Sequence, residues 1–321
     1  MDALLRSLVE YAALAPSGHN AQPWRFRLRD GGAELLADRT RALPVVDPDD
    51  RELVISCGAA LGVMRVAVRH FGHEADIEIL PDPADPDVLA RVRVGPPHVA
   101  TDRDEALFRA IAHRHTNRRP FDERPVPRPL LRELTHIAAA GGAWLRVVTA
   151  PGLKAVIADL VAEGDRHQAA DPAFRRELAS WMRPNRTRQQ DGMPGYTQGI
   201  GDAASVVMPA VIRMVDWGRK QAAADRALAV DSPTLLLLGT AADTPRDWLR
   251  TGQALSLVLL SVTAAGVSAS FLNQPIEVPP LRARLAQALG LTGTPQLLLR
   301  LGYGPATRAT PRREVAAVID G

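Results

Sequence analysis

The chain of 321 residues is poor in cysteine, lysine and aromatic side chains. Its one cysteine, Cys57, excludes an internal disulfide and any zinc site built on paired thiolates. Aromatics make up 4% of the residues, so there are few platforms on which nucleic-acid bases could stack. Lys154 and Lys220 are the only lysines, and arginine carries the rest of the basic charge. The net charge is +3 with no long basic block, which argues against a nucleic-acid partner. Several signatures are missing. There is no G-x-x-x-x-G-K-[ST] loop, no strand–G-x-G-x-x-G–helix, no H-E-x-x-H and no G-x-S-x-G. Gly199-Ile200-Gly201 lacks the rest of a dinucleotide fingerprint. Cys57 opens an apolar helical stretch and reads as a small buried residue rather than a nucleophile. His113-x-His115 has no further ligand set, so no metal is expected.

What is present is an ordinary globular composition, 46% hydrophobic and 23% charged, with length for one large domain or two modest ones. The N-terminus, Met1-Asp2-Ala3-Leu4-Leu5-Arg6, lacks the basic-then-apolar layout of a secretion signal. Thr251 to Ile276 carries no charge and is long enough to span a bilayer. Serines, threonines and Asn273 punctuate it, and Gly266 divides it, so it reads as a buried helix followed by a strand. A cytoplasmic protein without a membrane segment is expected.

The most informative pattern is an internal repeat. Gly58-Ala59-Ala60-Leu61 matches Gly252-Gln253-Ala254-Leu255, and Val68, Gly72 and Ala75 match Val262, Gly266 and Ala269 at the same offset of 194. Each copy reads as an apolar helix closed by a glycine cap and followed by a strand, Ile77–Leu80 or Ser270–Leu272. Upstream, Leu4-Leu5-Arg6 with Leu8 resembles Leu130-Leu131-Arg132 with Leu134, each leading to a Trp-headed strand, Trp24–Leu28 or Trp144–Thr149. A third pair, Arg91–Pro96 and Leu299–Pro305, reads as strands ending in Gly and Pro. Three matches in one order imply two related α+β halves, about 1–100 and 101–321.

The second half carries an insertion, about 155–230. A helical start at Lys154–Glu163 gives way to the Gly/Pro-punctuated polar run Arg183–Gly195, which cannot be one regular element. Met208–Lys220 reads as helix again. A long irregular segment of this kind is a lid, a binding loop or a disordered excursion.

Two segments gather chemistry. Ala15–Phe26 joins a helix to a strand and brings Pro16, Ser17, His19, Asn20 and Gln22 together. A polar turn is the plain alternative, but the equivalent stretch Ala139–Trp144 holds no Pro, Ser, His or Asn. A turn that the fold required would recur. Arg114–Phe121 concentrates three arginines with His115, Thr116 and Asn117. Guanidinium groups suit phosphate through paired hydrogen bonds, and a solvated basic linker is the alternative. Arg312-Arg313, after a strand Gln296–Gly302, would on its own be a surface pair.

Ala15–Phe26 resembles the A-P-S-x-x-N-x-Q-P-W-R-F loop of the nitroreductase flavoprotein superfamily. Arg114–Phe121 resembles that superfamily's R-R-S-x-R-x-F motif, one residue longer here. The order after Asp243, through Trp248, Gly252–Leu255 and Gly266, resembles its central helix. With the duplication and the insertion, the whole chain resembles the Acg-like branch. The resemblance implies an α+β, nitroreductase-like fold in which two unequal halves form a pseudo-dimer within one chain. It further implies one FMN per chain, with NAD(P)H as electron donor. The cofactor set it implies is Pro16, Ser17, His19, Asn20, Gln22, Arg114, His115, Asn117, Arg118, Asn273, Gln274, Arg312 and Arg313. Arg114 with Arg312 or Arg313 would take the phosphate. Asn117 and Arg118 would face the ribityl chain or ring, Ser17 and Asn20 the ring's polar edge, and the backbone N–H at Asn273 or Gln274 the ring's N5.

Two functions follow. An oxidoreductase would pass hydride from NAD(P)H through FMN to a nitro, quinone or similar small-molecule acceptor, and would need no side-chain nucleophile. A storage protein would sequester FMN beneath the 183–195 segment and turn over little. A chain that contains both halves is expected to be a monomer.

Overall fold

The computed structural model describes residues 1–320. Its residues pack into two compact units that interleave in sequence. Of the described residues, one comprises 1–114, 244–265 and 311–320, the other 115–243 and 266–310. The single boundary near residue 100 expected from the repeat does not describe this packing. The helix of the second repeat, Pro245–Ala264, packs with the first unit because it buries its apolar face against the helix Arg51–His70.

The first unit holds a five-stranded sheet in the order Ile319–Asp320, Trp24–Arg29, Gly32–Ala37, Val88–Pro97, His73–Ile79. Only the first pair is parallel. Trp24 and Phe26 are fully buried while Arg25 between them is exposed, the alternation of a strand with one face on the core. The second unit holds a four-stranded antiparallel sheet in the order Trp144–Val148, Thr234–Thr240, Thr294–Gly302, Ser268–Phe271. Setting the C-terminal strand aside, the two sheets have the same order and the same relative directions, with corresponding strands from corresponding repeats. In the first, strands Trp24–Arg29 and Gly32–Ala37 are joined across Asp30 and Gly31 alone, and Gly31 takes a left-handed φ of 72°. In the second, the equivalent connection is the whole insertion, residues 149–233.

Sequence patterning located the long helices and the strands after them, with ends displaced by a few residues. It missed Gly32–Ala37 and Thr234–Thr240, which are buried along their whole length and so show no alternation. The charge-free stretch 251–276 is helix to Ala264 and then the strand Ser268–Phe271, as its punctuation indicates. The helix Arg51–His70 is long and apolar enough to cross a membrane by length and composition, yet 83% of that window is buried inside the protein.

The long helices Arg51–His70 and Pro245–Ala264 are each 20 residues, begin and end 194 residues apart, and are followed by Gly72 (φ 83°) and Gly266 (φ 70°). They cross at their repeated glycines. A methyl group on Gly58 would overlap the carbonyl of Leu249, and one on Gly252 the carbonyl of Ile55. Residue 249 is the repeat partner of residue 55, so each helix meets the other through the same positions. That is the reciprocal pattern of a two-fold contact.

The insertion builds most of the second unit's helical layer. The helix Pro151–Ala170 packs on Gly218–Asp231 and on Gln274–Glu277. Its core joins Ile157, Leu160 and Val161 to Leu235, Leu237, Leu272 and Leu285. The expected helix Met208–Lys220 is two helices, Asp202–Met214 and Gly218–Asp231, separated by Val215–Trp217. The polar run Arg183–Gly195 is irregular, as expected, but closed at its base, where Met182–Arg183 pairs with Met193–Pro194.

Candidate functional site

In the first unit the loop Ala15–Pro23 and the segment Pro311–Arg313 are stitched together. Asn20 donates through Nδ2 to the carbonyl of Pro311 at 3.1 Å, and its Oδ1 accepts from Arg312 Nη1 at 2.9 Å. Gln22 Oε1 accepts from the backbone N–H of Arg313 at 2.8 Å, and the Gln22 carbonyl accepts from Arg313 Nη1 at 3.1 Å. Ser17 Oγ accepts from the Gln22 backbone N–H at 2.9 Å, so this hydroxyl fixes its own loop. Pro16 is buried at the loop's base. His19, Asn20 and Gln22 all have left-handed backbones, φ 51°, 55° and 55°. Three such non-glycine residues within four positions cost about 1 kcal/mol each or more. Strain of this kind persists only where the surroundings over-determine it, and here the arginine-bearing segment does so.

Arg114 enters the same place from the end of the helix Asp102–His113. It is 5% exposed, and its Nη2 donates to the carbonyl of Leu14 at 3.2 Å. Arg312 Nη2 reaches the same carbonyl at 3.4 Å. Two guanidinium groups thus converge on one oxygen. Burial, followed by repulsion from Arg312, pushes Arg114 down to about 9. Arg313 is nearest a carboxylate, with Asp38 at 3.6 Å. Arg312, rather than Arg313, is therefore the partner of Arg114.

In the second unit Asn117 is 3% exposed and fully engaged. Its Nδ2 donates to Ser268 Oγ (3.2 Å) and to the Pro305 carbonyl (3.0 Å), and its Oδ1 accepts from the Arg119 N–H (3.2 Å). The structure gives Asn117 a bracing role in place of the ligand contact expected from the sequence. His115 is half-buried, beside Thr116, which forms a bridge to Ala269. Arg118 is half-buried, with Met193 Sδ 3.9 Å from Nη2. Burial lowers its pKa, and Asp225 opposes that effect. Asn273 Oδ1 accepts from the Leu298 N–H at 3.0 Å, so its side chain holds backbone. Gln274 Nε2 donates to Asp165 Oδ1 (3.1 Å) and to Asp225 Oδ2 (2.8 Å).

Three residues that sequence reading passed over stand at the centre of this second group. Arg300 is 1% exposed, donates through Nη2 to the carbonyls of Asn117 and Arg119 (both 3.0 Å), and lies 4.1 Å over the Phe121 ring. Burial pushes it down to about 10. A single arginine inside the leucine run 297–301 was the available signal, since such a charge is kept in a core only for a purpose. Asp165 and Asp225 lie on helices from the insertion, where nothing in their spacing singles them out.

The nitroreductase family model matches residues 111–303. A Mycobacterium tuberculosis protein, Rv3131, provisionally assigned as an NAD(P)H nitroreductase, is 35% identical over 98% of this chain and 91% of its own. A second protein of that organism, Acg, with the same provisional assignment, is 31% identical over 98% of this chain and 95% of its own. Among solved structures, the FMN and NADPH-dependent nitroreductase NfnB of Sphigopyxis sp. strain HMH is 22% identical, with a TM-score of 0.45, over 67% of this chain and 98% of that one.

Proposed function

The chain belongs to the nitroreductase family, and on that premise we propose that it is an FMN-binding oxidoreductase that takes hydride from NAD(P)H and delivers it to a small electrophilic acceptor such as a nitro compound or a quinone. The observation that carries the cofactor is the convergence of Arg114 and Arg312 on the Leu14 carbonyl. The charge acting on buried Arg114 is another cation, and a guanidinium held out of water beside a second one is unfavourable. A phosphate dianion relieves both the repulsion and the desolvation, and guanidinium geometry suits it. The residues present therefore fit the phosphate end of FMN.

When bound, FMN supplies the hydride chemistry, so the protein needs only to bind, orient and exclude water. Arg114 and Arg312 would hold the phosphate. Asn20 orients Arg312 through its Oδ1, and Gln22 anchors the next residue. The left-handed conformations of His19, Asn20 and Gln22 fix the loop that presents these groups. The reciprocal helix crossing and the matching sheets support the pseudo-dimer reading, and a monomeric chain is the assembly it favours.

One observation favours the storage reading. Asn185 is 8% exposed and ties the 183–195 segment down. Its N–H donates to Ser205 Oγ (3.0 Å), its Nδ2 to the Ile200 carbonyl (2.9 Å) and Asp202 Oδ1 (3.0 Å), and its Oδ1 accepts from the Tyr196 N–H (2.6 Å). A segment fastened at four points opens slowly.

The visible spectrum of the desalted protein, before and after anaerobic NADPH, separates the readings. Prompt bleaching of a flavin band supports the oxidoreductase. A band that resists NADPH but bleaches with dithionite supports storage. No band, even after FMN is added, removes both.

A further inference from the structure

Asp165 and Asp225 are buried against each other in the second unit, 3% and 9% exposed. One amide bridges them, since Gln274 Nε2 donates to both, and Gln221 Nε2 adds a bond to Asp225 Oδ2 at 3.0 Å. Two carboxylates sharing an amide out of water cannot both hold a negative charge, and one proton between them removes the repulsion. Burial and the Asp225 charge push Asp165 up to about 8, and burial raises Asp225 as well.

A second observation points the same way. Arg300 is almost wholly buried, and its Nε and Nη1 have no protein hydrogen-bond partner. Asp165 Oδ2 and Gln274 Oε1 are likewise buried without one. Arg300 and Arg118 both act electrostatically on Asp225. Donors and acceptors left over in one buried network are what trapped water completes.

We propose that Asp165 and Asp225 share one proton, held in a water-completed network with Gln274, and that this pair is the internal acid from which the reduced acceptor draws its proton. The inference rests on the oxidoreductase reading. For each hydride an acceptor receives, one of its oxygens takes up one proton. That proton leaves the carboxylic O–H of the pair. The O–H bond breaks, its electrons stay on the carboxylate, and a solvent proton later restores the acid. The dianion formed in between faces two cations, Arg118 and Arg300, which keeps the loss reversible.

Arg166 adjoins Asp165, and its charge acts to lower it against the larger effects of burial and Asp225. Glu277 accepts from Gln168 Nε2 at 2.5 Å, one turn along the same helix. The ion pairs Arg226–Asp159 and Arg284–Glu163 are solvent-exposed.

The test combines infrared spectroscopy of the whole protein with the acceptor half-reaction. At pH 7 the wild type should show the carbonyl stretch of a protonated carboxylic acid, shifted in heavy water and absent from Asp165→Asn and from Asp225→Asn. With flavin content unchanged, acceptor reduction in either variant should slow by about a hundredfold. The fall in wild-type rate above about pH 8 should vanish in Asp165→Asn. Asp165→Glu should recover part of both signals, which separates loss of an acid from loss of fold. A wild type without the band overturns the proposal. So does a band whose loss leaves the rate and its pH profile unmoved. A wild type that shows the band but retains no FMN overturns the oxidoreductase reading instead, and with it the acid's task though not its proton.

Discussion

Gly58 and Gly252 stand against each other where the helices Arg51–His70 and Pro245–Ala264 cross, and an added methyl on Gly252 would lie 2.7 Å from the Gly58 carbonyl carbon. In an open helix Gly→Ala stabilises by about 1 kcal/mol. Here that gain is opposed by overlap with backbone, which cannot rotate aside. Gly252→Ala and Gly58→Ala should therefore each destabilise by about 1–3 kcal/mol, read as a lower midpoint in urea unfolding. A rise in midpoint would show that the helices are free to separate.

Arg114→Ala should have opposite effects on the two forms of the protein. Flavin retention should weaken by about tenfold to a hundredfold, the worth of one charged hydrogen bond (about 1.5–3 kcal/mol). The flavin-free protein should gain stability, because a buried cation beside Arg312 is gone. Flavin titration and thermal unfolding of the stripped protein read the two effects separately. Unchanged flavin affinity would remove Arg114 from the phosphate site.

Acid should cost this fold stability through Asp104. Burial alone would raise its carboxyl, but bonds from the Thr101 hydroxyl and N–H, His98 and the Arg69 charge outweigh it and bring Asp104 down to about 2. The native state thus binds this proton less readily than the unfolded chain. The contribution is complete above about pH 4 and lost as pH falls towards 2. Unfolding midpoints measured across that window should drop in the wild type and drop less in Asp104→Asn, which begins from a weaker capping box.

Asn185→Ala should loosen the 183–195 segment, leaving the Ser205 hydroxyl bond but removing three made by the side chain. Proteolysis within 186–192 should quicken. If this segment gates access to flavin, NADPH-driven bleaching should quicken with it. Faster cleavage with unchanged bleaching would show that the segment is not a gate.

Much of this was legible in the sequence because repetition and motif are local properties. The 194-residue offset located both long helices, and the Pro16–Gln22 loop stood out by lacking a counterpart. What was illegible depended on three-dimensional register. The fully buried strands Gly32–Ala37 and Thr234–Thr240 carry no alternation. Asp165 and Asp225 are 60 residues apart on ordinary-looking helices and meet only after folding. Asn117 was expected to face a ligand because its residue type allows it, whereas its geometry commits every polar atom of its side chain to the protein.

The helix crossing has an evolutionary consequence. Where two identical helices meet about a two-fold axis, a position on that axis faces its own copy, so any change is made twice and at one point. Such a position is nearly frozen. Residues 62 and 256 are repeat partners that face each other, yet one is Gly62 and the other Ser256, whose hydroxyl fills the room a side chain on Gly62 would need. A pair of identical chains could offer only glycine to glycine or serine to serine there. Joined in one polypeptide, the two copies mutate independently, so a small residue on one side can be answered by a larger one on the other. The same freedom lets one loop carry Ser17, His19 and Asn20 while its twin at 139–144 carries no Ser, His or Asn, and a strand follows each.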